Sequence, residues 1–325
     1  SKAWKMTNRK EQRVLITGAG GFIGEKVARL AHAEGFAVTA LDARLDGLYP
    51  AQEKQLRWER LHELAGVQFI DDDLRSIDWS KSECEFEYVI NLAAMPGLKL
   101  SWDDYELYRS CNLDAVERLV KASIDWPLKN FIQISTSSVY GKNAIGDEDH
   151  PTKPVSPYGV TKLAAENLLF SYYYTHNFPV SILRYFSVYG PGQRPDMAYR
   201  KFIEGAIAGS PIVVFGDGQQ SRTNTYIDDV AQVTVNSLTK ASPGEVYNIA
   251  GEEETTVLEA VNIIRRLTNS ASPVAFNPRI PGDQDRTAGD SGKAARFLGF
   301  DPRTSIREGL TNQVHEFMGL GVKEK

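Results

Sequence analysis

Arg13-Val-Leu-Ile-Thr-Gly-Ala-Gly-Gly-Phe-Ile-Gly24 runs a short β-rich segment straight into glycines at 18, 21 and 24. The helical pattern Phe22–Glu34 follows at once, so the stretch reads as strand, tight turn, helix. Glycines at this spacing permit the turn, let a backbone approach a pyrophosphate, and let the helix pack closely on the strand. The helix N-terminus then offers free N–H groups and a positive dipole end to phosphates. Gly18, Gly21, Phe22, Ile23 and Gly24 are therefore expected to cradle a dinucleotide. An acid, Asp42, stands at the end of the second strand, Ala37–Leu41, where it can accept hydrogen bonds from both adenosine ribose hydroxyls. Its charge would repel a 2′-phosphate and favours NAD over NADP, while the nearby Arg44 keeps NADP open. Asp73 and Leu74, after the third strand, are placed near the adenine, although Asp73 could equally cap a helix.

Outward from that turn, Val67–Ile70, Tyr88–Leu92, Phe131–Ile134 and Val180–Leu183 are apolar enough to be buried on both faces. Helical stretches such as 112–124 and 156–176 lie between them. Strands alternating with helices imply right-handed crossovers and a parallel sheet. The expected fold is α/β, a Rossmann-type doubly wound parallel sheet with a smaller, discontinuous C-terminal substrate lobe. Residues 1–12 read as a polar tail and 13–185 as the dinucleotide-binding domain, with a segment near 228–250 returning to it through 246–250 (VYNIA). Residues 186–227 and 251–325 read as the lobe, with helices near 198–208, 256–268 and 305–318.

The 325 residues carry 37 Lys plus Arg against 42 Asp plus Glu, a formal net charge of −5. A mildly acidic chain has no global attraction for nucleic acid or an anionic membrane, so an anionic ligand needs locally placed arginines. No apolar run approaches the roughly 20 residues of a membrane span, and the first 12 residues lack the apolar core of a signal peptide. A cytoplasmic protein is expected. Cys84 and Cys111 make no disulfide framework; Cys111 reads as a small buried filler. The five histidines lack metal-ligand spacing, so no metal is expected.

Ser156-Pro-Tyr-Gly-Val-Thr-Lys162 opens a helix with a natural N-cap and a proline at the first helical position. Tyr158 and Lys162, four apart, share one face. A phenol is a poor base at neutral pH, but a nearby ammonium and a nicotinamide cation both stabilise its phenolate. Such a pair can deprotonate a sugar hydroxyl while hydride leaves the same carbon. Upstream, Ser135-Thr-Ser-Ser-Val-Tyr-Gly141 ends a strand with hydroxyls at the edge where ligands of such sheets bind.

These residues, with Asn91-Leu-Ala-Ala94, Leu183–Pro191, Arg194-Pro-Asp-Met-Ala198 and Phe215-Gly-Asp-Gly-Gln-Gln-Ser-Arg222, carry a resemblance over nearly the whole chain. The chain resembles extended short-chain dehydrogenases/reductases of the NAD-dependent epimerase/dehydratase family, and within it most resembles UDP-glucuronate 4-epimerases. The resemblance implies a Thr136, Tyr158 and Lys162 triad and NAD lying along Leu92, Ala93 and Ala94. It implies that Ser137, Ser138 and Ser187 hold a sugar carboxylate, and that Arg194, Arg222 and Arg286 face the UDP-sugar. Two departures stand out: Arg222-Thr-Asn-Thr225 replaces the usual Arg-Asp-Phe-Thr, and Gly192 occupies a position where arginine is frequent. The expected reaction is C4 epimerisation of a UDP-sugar, UDP-glucuronate to UDP-galacturonate, through a transient 4-keto intermediate. A 4,6-dehydratase would place Asp-Glu where Ser137 and Ser138 stand. Epimerisation of UDP-glucose or UDP-N-acetylglucosamine, decarboxylation of UDP-glucuronate, and a non-catalytic NAD sensor are the alternatives. Apolar residues on more than one face of the helices after Ser101 and Ser156 suggest a homodimer through a four-helix bundle, which the family also uses.

Overall fold

The computed structural model describes residues 12–82 and 84–320; the expected polar tail lies almost wholly outside them. Seven parallel strands form the central sheet: β1 (Arg13–Thr17), β2 (Ala37–Asp42), β3 (Gln68–Asp71), β4 (Tyr88–Asn91), β5 (Asn130–Thr136), β6 (Val180–Tyr185) and β7 (Val246–Ile249). Their order is β7-β6-β5-β4-β1-β2-β3, so the chain reverses its direction of travel at β1. The doubly wound sheet expected from the sequence is present, and 246–249 does return to it beside β6.

Strand periodicity explains the continuous apolar runs. Val14 and Ile16 point to one side, where α1 (Phe22–Ala33) contributes Val27, Ala28 and Ala31. Leu15 points to the other side, toward Val116, Leu119 and Val120 of the helix Ala115–Ser123 and toward Leu169 of the helix Pro157–His176. Both faces are covered, so both sets of alternating side chains must be apolar.

Three local features depart from the expected outline. A helix, Ala51–His62, follows β2; its narrow buried stripe is Arg57, Trp58 and Leu61, and Leu56 faces out. The helix expected from residue 112 begins instead in one π-turn, Ser110–Asp114, continuing from Tyr105–Arg109. Lastly, Asn143–Gly146 leaves the central sheet and pairs in parallel with Arg286–Gly289, joining a four-stranded sheet of the lobe with Ser221–Thr223 and Glu254–Thr256. Helices Ala198–Ala208, Ile227–Lys240, Val257–Leu267, Gly292–Leu298 and Ile306–Phe317 complete the fold. Among the described residues no helix is long and apolar enough to cross a membrane.

The first turn is set by contact distances. Gly18 has φ +69°, and a Cβ there would stand 2.8 Å from the Ala93 nitrogen. A Cβ on Gly24 would stand 2.0 Å from the Gly18 carbonyl oxygen, inside van der Waals contact with rigid backbone. Gly24→Ala is therefore expected to cost about 1–3 kcal/mol by overpacking, read as a lowered denaturation midpoint at unchanged m-value; an unchanged midpoint would contradict this account of the turn.

Candidate active site

A cleft of about 1160 Å³ opens at the C-terminal edge of the sheet, between it and the lobe. It lies where successive helices pass to opposite faces of the sheet, the position at which open α/β sheets leave a crevice. Gly18, Gly21, Phe22, Ile23, Gly24, Asp42, Asp73, Leu74, Leu92, Ala93 and Ala94 line one end. Thr136, Ser137, Ser138, Tyr158, Lys162, Ser187, Arg194 and Arg222 line the rest. Arg286 lies apart from these residues. It is not among the lining residues, and its guanidinium forks onto Glu254 at 2.6 and 2.9 Å on the lobe surface.

At the glycine end the Asp42 carboxylate accepts from the Gly20 N–H at 2.8 Å and the Arg44 N–H at 2.6 Å. Each oxygen keeps lone-pair capacity facing the cleft. Arg44 is committed elsewhere: its side chain pairs with Asp71 at 2.7 Å and lies 4.8 Å above the Trp58 ring. A 2′-phosphate would therefore have to compete with the Asp71 carboxylate for this cation. The glycine cradle and the ribose-facing carboxylate fit a dinucleotide without that phosphate. Thr17 donates to Asn91 at 2.6 Å and accepts from the Ala93 N–H at 3.1 Å, which fixes 92–94 against β1. Asp73 is held by Arg75, with hydrogen bonds down to 2.7 Å, and these keep its carboxyl below the usual range.

Tyr158 and Lys162 sit where β5 meets the helix Pro157–His176. Ser156 caps this helix by accepting from the Gly159 N–H at 3.1 Å, and Pro157 starts it. That fixes the face carrying Tyr158 and Lys162. Burial pushes the Tyr158 phenol above its ordinary value, while a hydrogen bond with Thr136 and the Arg194 guanidinium oppose the rise. The Lys162 ammonium is buried, donates to the Ile134 carbonyl at 2.8 Å, and is pushed down to about 8 by burial. The lysine expected to hold the phenolate therefore spends a hydrogen bond on the strand one helical turn from Tyr158.

At the lobe end Arg194 pairs with Asp196 at 3.0 Å. Arg222 pairs with Asp283 at 2.9 Å and donates to the Gln284 carbonyl at 2.7 Å; burial lowers its pKa. Ser137 donates to Gln284 at 3.3 Å, and Ser187 adopts φ +29° just before the short strand Val188–Tyr189. The two departures in sequence have local partners. Asn224 donates to the Arg222 carbonyl at 3.2 Å, and the Gly192 carbonyl accepts from Arg57 at 2.8 Å.

Sequence reasoning missed three residues. Asn112, inside the π-turn, accepts from the Met95 N–H at 2.7 Å and donates to its carbonyl at 3.0 Å and to Thr161 at 3.2 Å. It ties the loop after β4 to the helix carrying Tyr158, at the kind of helix irregularity that recurs at functional sites. Lys54 lines the cleft and donates to the Leu45 carbonyl at 2.7 Å; burial lowers its pKa. Glu166, a further turn along from Lys162, is buried. Its four-residue spacing from Lys162 was the available signal. Among the described residues no group of three or more His, Cys, Asp or Glu could hold a metal ion.

Residues 14–250 match the model of the NAD dependent epimerase/dehydratase family. A Bacillus subtilis (strain 168) protein described as "Uncharacterized UDP-glucose epimerase YtcB" is 36% identical over 93% of this chain and 96% of its own length. The UDP-glucuronate 4-epimerase of Thermodesulfobacterium geofontis (strain OPF15) is 34% identical over 93% of this chain and 94% of its own. Among solved structures, the UDP-glucuronic acid 4-epimerase of Bacillus cereus in complex with UDP-glucuronic acid and NAD superposes with a TM-score of 0.91. It is 36% identical, covering 95% of this chain and 99% of that one.

Asp42 generates a direct test. Hydrogen bonds to a charged group contribute about 1.5–3 kcal/mol, and about 1.4 kcal/mol is tenfold in affinity. Asp42→Ser is expected to weaken NAD binding at least tenfold and to narrow the preference over NADP, measured by titration calorimetry. Unchanged discrimination would place selectivity elsewhere.

Proposed function

The chain belongs to the NAD-dependent epimerase/dehydratase family, and on that premise we propose that it interconverts UDP-glucuronate and UDP-galacturonate by inversion at C4. It is an isomerase of the UDP-sugar 4-epimerase kind with NAD as its cofactor. The observation that carries the substrate assignment is the strand end: Thr136, Ser137 and Ser138 line the cleft beside Tyr158, with hydroxyls where a 4,6-dehydratase would carry Asp-Glu. A uronate carboxylate meets neutral donors there rather than like charge. Epimerisation of a neutral UDP-hexose is the second reading. The description of the Bacillus subtilis relative favours it, and the same serines can meet a hydroxymethyl group.

Bound NAD supplies a reversible acceptor for the hydrogen and electron pair leaving C4. Tyr158 takes the C4 hydroxyl proton, with Thr136 orienting its oxygen. Lys162 places positive charge close by and anchors the helix face to β5 through the Ile134 carbonyl. Arg194 and Arg222, each beside an aspartate, hold the diphosphate while the 4-keto sugar turns. Tyr158 then returns the proton to the C4 oxygen of the turned sugar, whose opposite face would now meet the dinucleotide, so C4 would invert with no net redox change.

NMR analysis of products from a panel of UDP-sugars tests the assignment; turnover confined to neutral hexoses would replace the uronate. Tyr158→Phe is expected to lower kcat by about 100- to 10,000-fold, with KM nearly unchanged because the arginines assigned to the diphosphate are left in place. Near-normal turnover would overturn the proton-transfer role.

The chain pairs as a homodimer through a four-helix bundle built from residues 105–123 and 157–176. Exposed Tyr105, Val160 and Tyr174 on these helices support this reading. Light scattering at micromolar concentration is expected to give twice the chain mass, and a monomer would sink the proposal.

A further inference from the structure

Three consecutive residues of β5 meet three side chains of one helix face. Thr136 meets Tyr158, the Ile134 carbonyl accepts from Lys162 at 2.8 Å, and the Ser135 hydroxyl donates to Glu166 at 2.5 Å. Tyr158, Lys162 and Glu166 are successively four apart and therefore stack along the helix. Glu166 is 1% exposed, Lys162 4% and Arg184 6%. Arg184, on β6, forks onto Glu166 at 2.6 to 3.2 Å and donates to the Tyr140 hydroxyl at 2.9 Å. That hydroxyl donates in turn to Asn248 at 2.6 Å. Glu166 thus pairs directly with the Arg184 guanidinium, while the Lys162 ammonium stands one helical turn away in the same dry interior.

We propose that Glu166 is a positioning residue that keeps Lys162 charged, and that Arg184 competes for it and so sets the alkaline limit of turnover. The proposal rests on the proton-transfer reading of Tyr158 and Lys162. Burial drives the lysine to shed its proton, and the Glu166 carboxylate is the charge that opposes this. The other polar groups around the ladder are Tyr158 on the same helix and Tyr140 beside Arg184. His150 meets the Tyr140 ring edge-on at 5.4 Å, and Glu148 lies near the Tyr140 hydroxyl. None of these supplies a second carboxylate to Lys162. The sign follows directly. With its value lowered to about 8, Lys162 is an ammonium below that pH and becomes neutral as pH rises through it.

The test compares pH profiles of kcat/KM for the NAD-loaded protein and two variants. Glu166→Gln leaves Lys162 facing Arg184 alone, and its alkaline limb is expected to move at least one unit toward acid, with KM within about threefold of the parent. Arg184→Gln releases Glu166 to Lys162, and its limb is expected to move toward base. Glu166→Asp, which retains the charge, should bring the limb back toward the parent position. Loss of packing alone would lower turnover at every pH without moving the limb, and this result in either variant overturns the proposal. Each variant decides by its own direction, so failure of one to fold leaves the other decisive. A second readout is the titration of the 13Cε signal of Lys162, assigned with Lys162→Arg. An unmoved titration in Glu166→Gln overturns this proposal alone, whereas near-normal turnover by Tyr158→Phe overturns the reading beneath it.

Discussion

No side chain fits between Gly24 and the Gly18 carbonyl, and the first helix can approach β1 only because of that. The close approach turns the helix N-terminus toward the cleft floor. It also leaves the Gly18 backbone against Ala93, so that β4 and its following loop are set by the same contact. From there Thr17 and Asn91 lock the two strand ends together, and Asn91 donates onward to Gln133 of β5 at 2.8 Å. The strand carrying Thr136 is therefore registered against the glycine turn through buried side-chain hydrogen bonds, which tolerate little displacement once desolvated.

Dryness has two opposing effects on the reacting groups. It raises the phenol of Tyr158 and lowers the ammonium of Lys162, so both are pushed toward their neutral forms. Their ionised forms therefore depend on charges brought in from outside the pair. Arg194 acts on Tyr158 from the lobe and Glu166 acts on Lys162 from the next helical turn. Arg194, far along the chain from Tyr158, thus bears on the ionisation of its phenol.

The features written in local sequence were those with local causes. The apolar strands, the glycine spacing, the Ser156 cap and the Tyr158–Lys162 spacing each follow from steric or hydrogen-bonding rules acting over a few residues. The helix Ala51–His62 escaped because its inner face includes Arg57, whose burial depends on a carbonyl at Gly192 far along the chain. The π-turn escaped because its cause is tertiary: Asn112 bonds backbone and side chains from two other segments. Arg286 was placed by resemblance alone, and its partner Glu254 arrives from a different strand of the same sheet. Glu166 was legible as a spacing, but its charge partner on β6 was not.

The strand Asn143–Gly146 also bears on how the chain reaches its native state. It is made with the first half of the protein, yet its pairing partner is Arg286–Gly289 near the other end. During synthesis the central sheet from β1 to β6 is complete before that partner exists, and Ile145 waits with an open backbone edge. Closing so long a loop costs entropy that is recovered only when both strands dock. The ladder between them can close only once residue 289 has been made, and a chain stopped short of residue 286 would display an unpaired edge to its neighbours, a known starting point for aggregation.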